Sequence, residues 1–349
     1  MSFRQVNDEY EQWLAAQCAV VTADLAYKHK RMGKNAFVFL RATYFRWAGQ
    51  IEELCPDLRS APSVLSVGDL HLENFGTWRD AEGRLVWGVN DFDEAASIAY
   101  PFDLVRLAAS ARLAPGMAID NKEAAAAIIE GYGNGLAGPR PTLLDEQETW
   151  LRPYVACSDE DRRAFWEEVG EYPSAVPPED VATGLATSLP KNAEIIRFCS
   201  RVKGSGGLGR PRYVAIAVWR GGRIVREAKA LVPSAWTWAH GASAQPSFLQ
   251  LATGGYRSPD PFLDVREGFV FRRIAADSRK VDLGDDAGSN VKIDLLRAMG
   301  FDLGSIHATD PNAADAVRRD LKERPRDWLH AAAKTAAAAV EQDWESWRA

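Results

Sequence analysis

The chain has 349 residues, of which 46% are hydrophobic and 26% charged, an ordinary globular balance with length for two or three compact units. A formal net charge of −6 argues against a general nucleic-acid coat, because polyanion binding normally shows a basic excess. No apolar run reaches membrane-spanning length, residues 1–9 are polar, and Cys18, Cys55, Cys157 and Cys199 form no C-x-x-C pair, so the expectation is a cytoplasmic, bacterial-type protein with no membrane or nucleic-acid partner.

In chain order, Glu9 to Met32 reads as one helix with Trp13, Leu14, Cys18, Val21 and Leu25 on its apolar face. The basic segment Lys28–Lys34 at its end is read first as a solvated helix terminus and second as a phosphate contact. Phe37 to Leu54 is aromatic-rich and helical, and Arg41 within it needs an acidic partner, which the acidic stretch that follows can supply. Val64 to Val67 and Arg84 to Val89 are short apolar runs of strand length. Asp103 stands in the capping or first-turn position of a helix. Asn121 to Leu136 is a further helix, and Ser158-Asp159-Glu160-Asp161 opens another on a capping-box pattern. Residues Gly170 to Val181 read as a connection.

The texture changes near Ile195. Ile196–Val202, Tyr213–Trp219, Arg223–Val232 and Phe269–Ile274 read as strands, with Gly221-Gly222 as a hairpin signal. Asp294–Ile306, Ala313–Lys322 and Trp328–Trp347 return to helix, with the tryptophans as core contacts.

Two acidic clusters frame the run Arg84–Val89. The first is Gly68-Asp69-Leu70-His71-Leu72-Glu73-Asn74 and the second Asn90-Asp91-Phe92-Asp93-Glu94. A carboxylate base, an amide oxygen and a metal-binding carboxylate at such spacing are what phosphoryl transfer from a metal–nucleotide complex requires. Asp69 can accept or orient a hydroxyl proton, and His71 can shape its loop. Asn74, Asp91 and Asp93 can hold magnesium, a cation that prefers oxygen ligands. Acidic residues also make turns, but this combination with a strand between is a rarer pattern. Gly204, Ser205, Gly206, Gly207 and Gly209 complete G-x-G-x-x-G, a formula shared with dinucleotide loops. A strand follows it rather than a helix, as in the loop that covers phosphates in protein kinases, and Lys229 lies where a kinase places its phosphate-contacting lysine. The acidic partner of that lysine is missing: Ser234–Tyr256, where its helix is expected, has no acidic residue, and Glu227, Asp260, Asp264 and Glu267 are the substitutes.

GDLHLENFG and NDFDEA resemble the catalytic and metal-binding motifs of aminoglycoside-phosphotransferase-like kinases. Most of the chain resembles an uncharacterised bacterial domain-of-unknown-function family with the same motifs. The resembling stretches also include Lys28–Arg41, PFDLVRLAAS, GSGGLG, AKALVPSA, FVFRRIAADSRKVDL and Leu303–His307. The resemblance implies a two-lobed α+β kinase-like fold, with ATP and Mg2+ as cofactors and an unknown acceptor. Because Gly204 and Lys229 follow Asp69 and Asp91, the expected arrangement is circularly permuted. Residues 1–194 form a helical catalytic-lobe region, 195–282 a nucleotide-lobe antiparallel sheet, and 283–349 helices returning to the larger lobe. A competing layout puts a reduced nucleotide lobe in 1–60, a helical section without a glycine loop. The expected activity is phosphotransfer to a small molecule or protein; the alternatives are a non-catalytic nucleotide-binding pseudokinase and a nucleotidyl (AMP) transferase.

Overall fold

The computed structural model describes residues 1–241, 247–281, 283 and 288–349. Helices α1 (Phe3–Gln17) and α2 (Thr22–Met32) open the chain where one continuous helix was expected. The break falls at Cys18–Val21. Val20, Val21 and Thr22 form a β-branched run that is poorly suited to a helix, and the Val21 N–H donates to Gly209 O at 2.9 Å instead. Asn35 caps α3 (Ala36–Ala42), and the chain turns at Thr43 into α4 (Tyr44–Leu54). Strands β1 (Ser63–Ser66), β2 (Phe75–Arg79), β3 (Leu85–Val89) and β4 (Ala96–Ala99) follow. β1 pairs with β4 and β2 with β3, both antiparallel. Next come α5 (Pro101–Leu113), α6 (Asn121–Ala137), β5 (Thr142–Leu143) beside β3, α7 (Arg152–Val155), α8 (Asp159–Glu171) with its Ser158 capping box, and α9 (Glu179–Thr187), which the sequence reading did not include.

The largest sheet follows. Its strands are β6 (Glu194–Ser200), β7 (Arg212–Trp219), β8 (Gly222–Ala230), and, after α10 (Ala235–His240) and α11 (Phe248–Ala252), β9 (Asp264–Arg266) and β10 (Phe269–Ile274). The order is β6-β7-β8-β10-β9, antiparallel throughout. The β7–β8 hairpin turns one residue earlier than its sequence signal: Arg220 and Gly221 take the two left-handed positions, with φ of 49° and 80°, as the twist of a tight hairpin demands. The chain closes with α12 (Ile293–His307), α13 (Pro311–Glu323) and α14 (Trp328–Arg348).

The protein is α+β, with small antiparallel sheets among many helices. One large core joins α3–α6 and α12–α14 to β1–β4. Alternation along β7, β8 and β10 gives the five-stranded sheet two apolar faces. Val214, Ile216, Val225 and Ile274 meet Val169 and Tyr172 at α8, while Ala215, Ala228 and Phe271 meet Val181 and Leu185 of α9. Further along the α8 face, Arg212, Glu227, Lys229 and Arg272 replace the apolar side chains, so that half opens to a cleft. Arg4 Nη2 donates to Trp347 O at 2.7 Å, and Phe3 meets the Trp347 ring edge-on, which brings α1 and α14 together. Cys55 and Cys199 are buried, Cys18 and Cys157 half-buried, and all four are unbridged. Among the described residues no helix is long and apolar enough to cross a membrane.

Candidate active site

The first wall of the cleft begins where β1 runs into Gly68. The two backbone N–H groups of Val67 and Gly68 donate to the Asp103 carboxylate at 2.7 and 2.9 Å. Asp103 therefore fixes this loop from the first turn of α5, one of the two positions the sequence reading allowed it, and makes no side-chain cap for its own helix. Its Oδ2 also lies 3.2 Å from His307 Nε2, and His307 Nδ1 lies 2.9 Å from the Tyr132 hydroxyl, all within the core.

Asp69 follows on the secured loop. Arg106 Nε donates to Asp69 Oδ1 at 2.9 Å, and its Nη2 pairs with the same oxygen. Arg106 is fully buried, bonded to Leu40 O at 2.8 Å and stacked near the Tyr44 and Trp47 rings. Burial raises the Asp69 pKa and Arg106 opposes that rise. His71 is buried too, and its Nδ1 accepts from the Glu73 N–H at 3.2 Å, capping the turn Leu72–Asn74. Burial, aided by Arg41 and Arg106, holds its pKa well below the ordinary value, so the ring is neutral. Asn74 Nδ2 donates to the backbone oxygens of Asp69 and Asp91 at 3.0 and 3.3 Å, which leaves its amide oxygen for a ligand. Arg41 meets Glu73 at 2.5 Å, the acidic partner its sequence context demanded.

The second acidic cluster faces Lys229. Lys229 Nζ lies 3.3 Å from Asp91 Oδ1 and also pairs with Asp93. Lys280 reaches Asp91 Oδ2 at 3.3 Å. Burial works against the charge on Asp91, but the two lysines overcome it and hold the carboxyl well below its usual range. Arg210 bridges Asp93 and Glu94 at 3.3 and 2.6 Å, and Glu94 also accepts the Ala235 N–H at 2.6 Å. The missing partner of Lys229 is thus the metal-motif pair Asp91 and Asp93 itself. Three of the substitutes near Lys229 in sequence are paired elsewhere: Glu227 is fully buried among Arg201, Arg212 and Arg272, Asp260 pairs with Arg273, and Asp264 with Arg266. In the span expected to provide a helical acid, α10 and α11 are short, and residues 242–246 lie outside the described residues, as does boundary residue 282.

The glycine loop joins β6 to β7 and roofs both clusters. A Cβ on Gly206 would lie 3.1 Å from Asp69 Oδ2, and one on Gly207 would lie 3.2 Å from Lys229 Cε. Arg31 Nη1 donates to Gly204 O at 3.1 Å, and Gly209 O takes the Val21 N–H. Gly209 has φ +95° and its Cα faces Leu25 so closely that a Cβ would sit 2.5 Å from Leu25 Cδ2. The basic segment of α2 is therefore not a solvated terminus at these positions: Arg31 holds the loop, and Lys28 is buried under the Tyr10 and Phe45 rings. Ser205 is buried, and its hydroxyl has no hydrogen-bond partner among the described residues.

These elements enclose a cleft of about 690 Å³, within the range of small-molecule sites. It is lined by Asp69, His71, Asn74, Asp91, Asp93, Gly204–Gly207 and Lys229; Gly209, an anchor of the loop, stands outside it. The lining holds twelve Lys and Arg against eight Asp and Glu, the reverse of the chain's overall charge, and so suits an anion. Among the described residues no group of three or more His, Cys, Asp or Glu side chains could hold a metal ion. Two carboxylates and an amide oxygen instead fit an ion that arrives with phosphate ligands, the usual way magnesium is bound. Sequence reasoning missed Arg106, Arg210 and Lys280; the signal for Arg106 was its place three residues after Asp103, flanked by Leu104, Val105, Leu107, Ala108 and Ala109.

No curated protein and no solved structure matches the chain. Residues 21–134, from α2 through most of α6 and including both acidic clusters, match the model of a bacterial family described as "Uncharacterized protein conserved in bacteria (DUF2252)".

Proposed function

We propose that this protein is a cytoplasmic, ATP- and magnesium-dependent phosphotransferase of two-lobed kinase-like architecture, with its lobes in permuted order, acting on a small-molecule or protein acceptor. The observation that carries this reading is the meeting of Lys229 and Asp91 beneath the glycine loop, since a phosphate-binding lysine and a metal-binding carboxylate must converge for phosphoryl transfer. The contact of Arg4 with Trp347 supports permutation, because chain segments that lie side by side can exchange order at little cost. The unbridged cysteines fit a reducing compartment.

In this reading Asn74 Oδ1, Asp91 and Asp93 would hold magnesium, which neutralises charge on the phosphates. Lys229 binds phosphate oxygens, the loop amides cover them, and the unpartnered Ser205 hydroxyl donates to one. Arg106 holds Asp69 by Oδ1, leaving Oδ2 to orient the acceptor hydroxyl or amine and take its proton. Neutral His71 keeps the loop in shape.

Calorimetric titration with ATP, with and without magnesium, tests the assignment. Asp91→Ala is expected to abolish magnesium-dependent binding, while Asp69→Ala retains binding and loses turnover. Equal binding and turnover in both variants and the parent would overturn it. A second reading, nucleotide binding without transfer, is favoured by the narrow space between the glycine loop and Asp69, where a Cβ on Gly206 would come within 3.1 Å of Oδ2. Labelled ATP followed by mass spectrometry separates these readings, and separates an added phosphate from an added AMP.

A further inference from the structure

We propose that Lys280 is a second phosphate-binding lysine, and that it replaces one of the two divalent ions a kinase-type site holds; the inference rests on the nucleotide reading above. Lys229 spans both oxygens of the Asp91 carboxylate, at 3.3 and 3.4 Å, and Lys280 approaches Oδ2 of the same group at 3.3 Å. They come from different sheets. Lys229 is on β8, whereas the Lys280 backbone is bonded to β2: Thr77 N–H donates to Arg279 O at 2.7 Å, and Val281 N–H to Phe75 O at 2.8 Å. That pairing fixes Lys280 beside the strand that leaves Asn74, so its position is built into the fold.

Exposure separates the two lysines. The Lys229 side chain is 5% exposed and the Lys280 side chain 42%. An ammonium that served only to neutralise Asp91 would duplicate Lys229. One that stands open to the cleft can also bind an entering anion.

Charge limits the metal count. Lys229, Lys280 and Arg210 already balance Asp91, Asp93 and Glu94 one for one, and the cleft lining as a whole carries more Lys and Arg than Asp and Glu. Each further divalent ion would add to that positive excess, whereas the Lys280 ammonium already stands at Asp91. Asp93 is in addition shared by Lys229 and Arg210, which leaves it poorly placed to hold an ion of its own.

The test uses the full chain with a non-hydrolysable ATP analogue and Mn2+, whose bound fraction is counted by electron paramagnetic resonance. The parent is expected to bind one manganese per nucleotide. Lys280→Met is expected to bind the analogue about tenfold to a hundredfold more weakly, the worth of one charged hydrogen bond, and to gain a second manganese site. Lys280→Arg, which keeps the charge, should hold one manganese and near-parent affinity, and thermal melting of all three proteins confirms that they are folded. Two manganese ions on the parent, or parent affinity in Lys280→Met, would overturn the inference and leave the nucleotide site standing. A parent that binds no analogue overturns the functional reading and the inference with it.

Discussion

Lys229 and Asp91 are 138 positions apart in the chain and 3.3 Å apart in space. The pair ties the five-stranded sheet to the loop that follows β3. Lys229→Met removes an ammonium that is shared by two carboxylates, one of them largely buried Asp93. Unpairing a buried charge costs several kcal/mol, and Arg210 remains to offset part of it. The expected result is a loss of about 2 kcal/mol in urea unfolding together with ATP binding weakened at least about tenfold. Unchanged stability and affinity would remove Lys229 from the site.

Asp103→Asn tests the anchor behind Asp69. The carboxylate accepts two backbone N–H groups and faces His307. An amide must turn its own N–H₂ toward one of these donors. The expected cost is about 3 kcal/mol of stability, with a loss of turnover larger than any loss of ATP affinity, because Asp69 moves while Lys229 does not. A variant as stable as the parent would show that the loop is held by other contacts.

The glycine loop gives two separable outcomes. Gly209→Ala must hold a side chain at φ +95° against Leu25, so it is expected to lose about 1–2 kcal/mol and to bind nucleotide more weakly. Gly206→Ala faces only a tight contact with Asp69 Oδ2 and Arg41 O. It should fold and bind ATP, yet lose turnover. Identical behaviour of both variants in melting and binding would show that the loop acts as one rigid unit.

Lys28 gives the protein an alkaline stability rise. Burial pulls its pKa from 10.5 down to about 8, with Glu11 opposing. Below about 8 the lysine is charged in both states and the full burial cost applies. Between about 8 and 10.5 the unfolded chain holds a proton that the folded chain has released, so stability climbs with pH. Lys28→Met is expected to raise stability at pH 7 by up to about 3 kcal/mol and to flatten that climb. Urea midpoints at pH 7 and pH 10 decide it; equal slopes in parent and variant would contradict the assignment.

Much of the secondary structure was legible because it rests on local signals. The Ser158 capping box, the alternation of Tyr213–Trp219 and the period of Leu295, Met299 and Ile306 each specify their own element. Both acidic clusters stood out in the sequence, and the structure brings them to one cleft. What was not legible depends on distant partners. The break after Gln17 is completed by Gly209, nearly two hundred residues away. Asp103 has the sequence position of a cap or first-turn residue, and only the β1 loop shows that it serves the N–H groups of Val67 and Gly68. Among the described residues Lys229 has no acid close by in sequence that reaches it, and its partners Asp91 and Asp93 lie more than 130 residues upstream. Lys280 stood in FVFRRIAADSRKVDL as one basic residue among several, and only its pairing with β2 sets it apart.

The roof of the cleft is moored at both ends to residues that precede every acidic motif: Arg31 grips Gly204 O, and Val21 grips Gly209 O. The segment from Val21 to Arg31 thus acts as a tether on the loop. Disturbance far upstream, by a fusion tag or a partner protein that levers α1 away from α2, would be felt at the cleft's roof as slack.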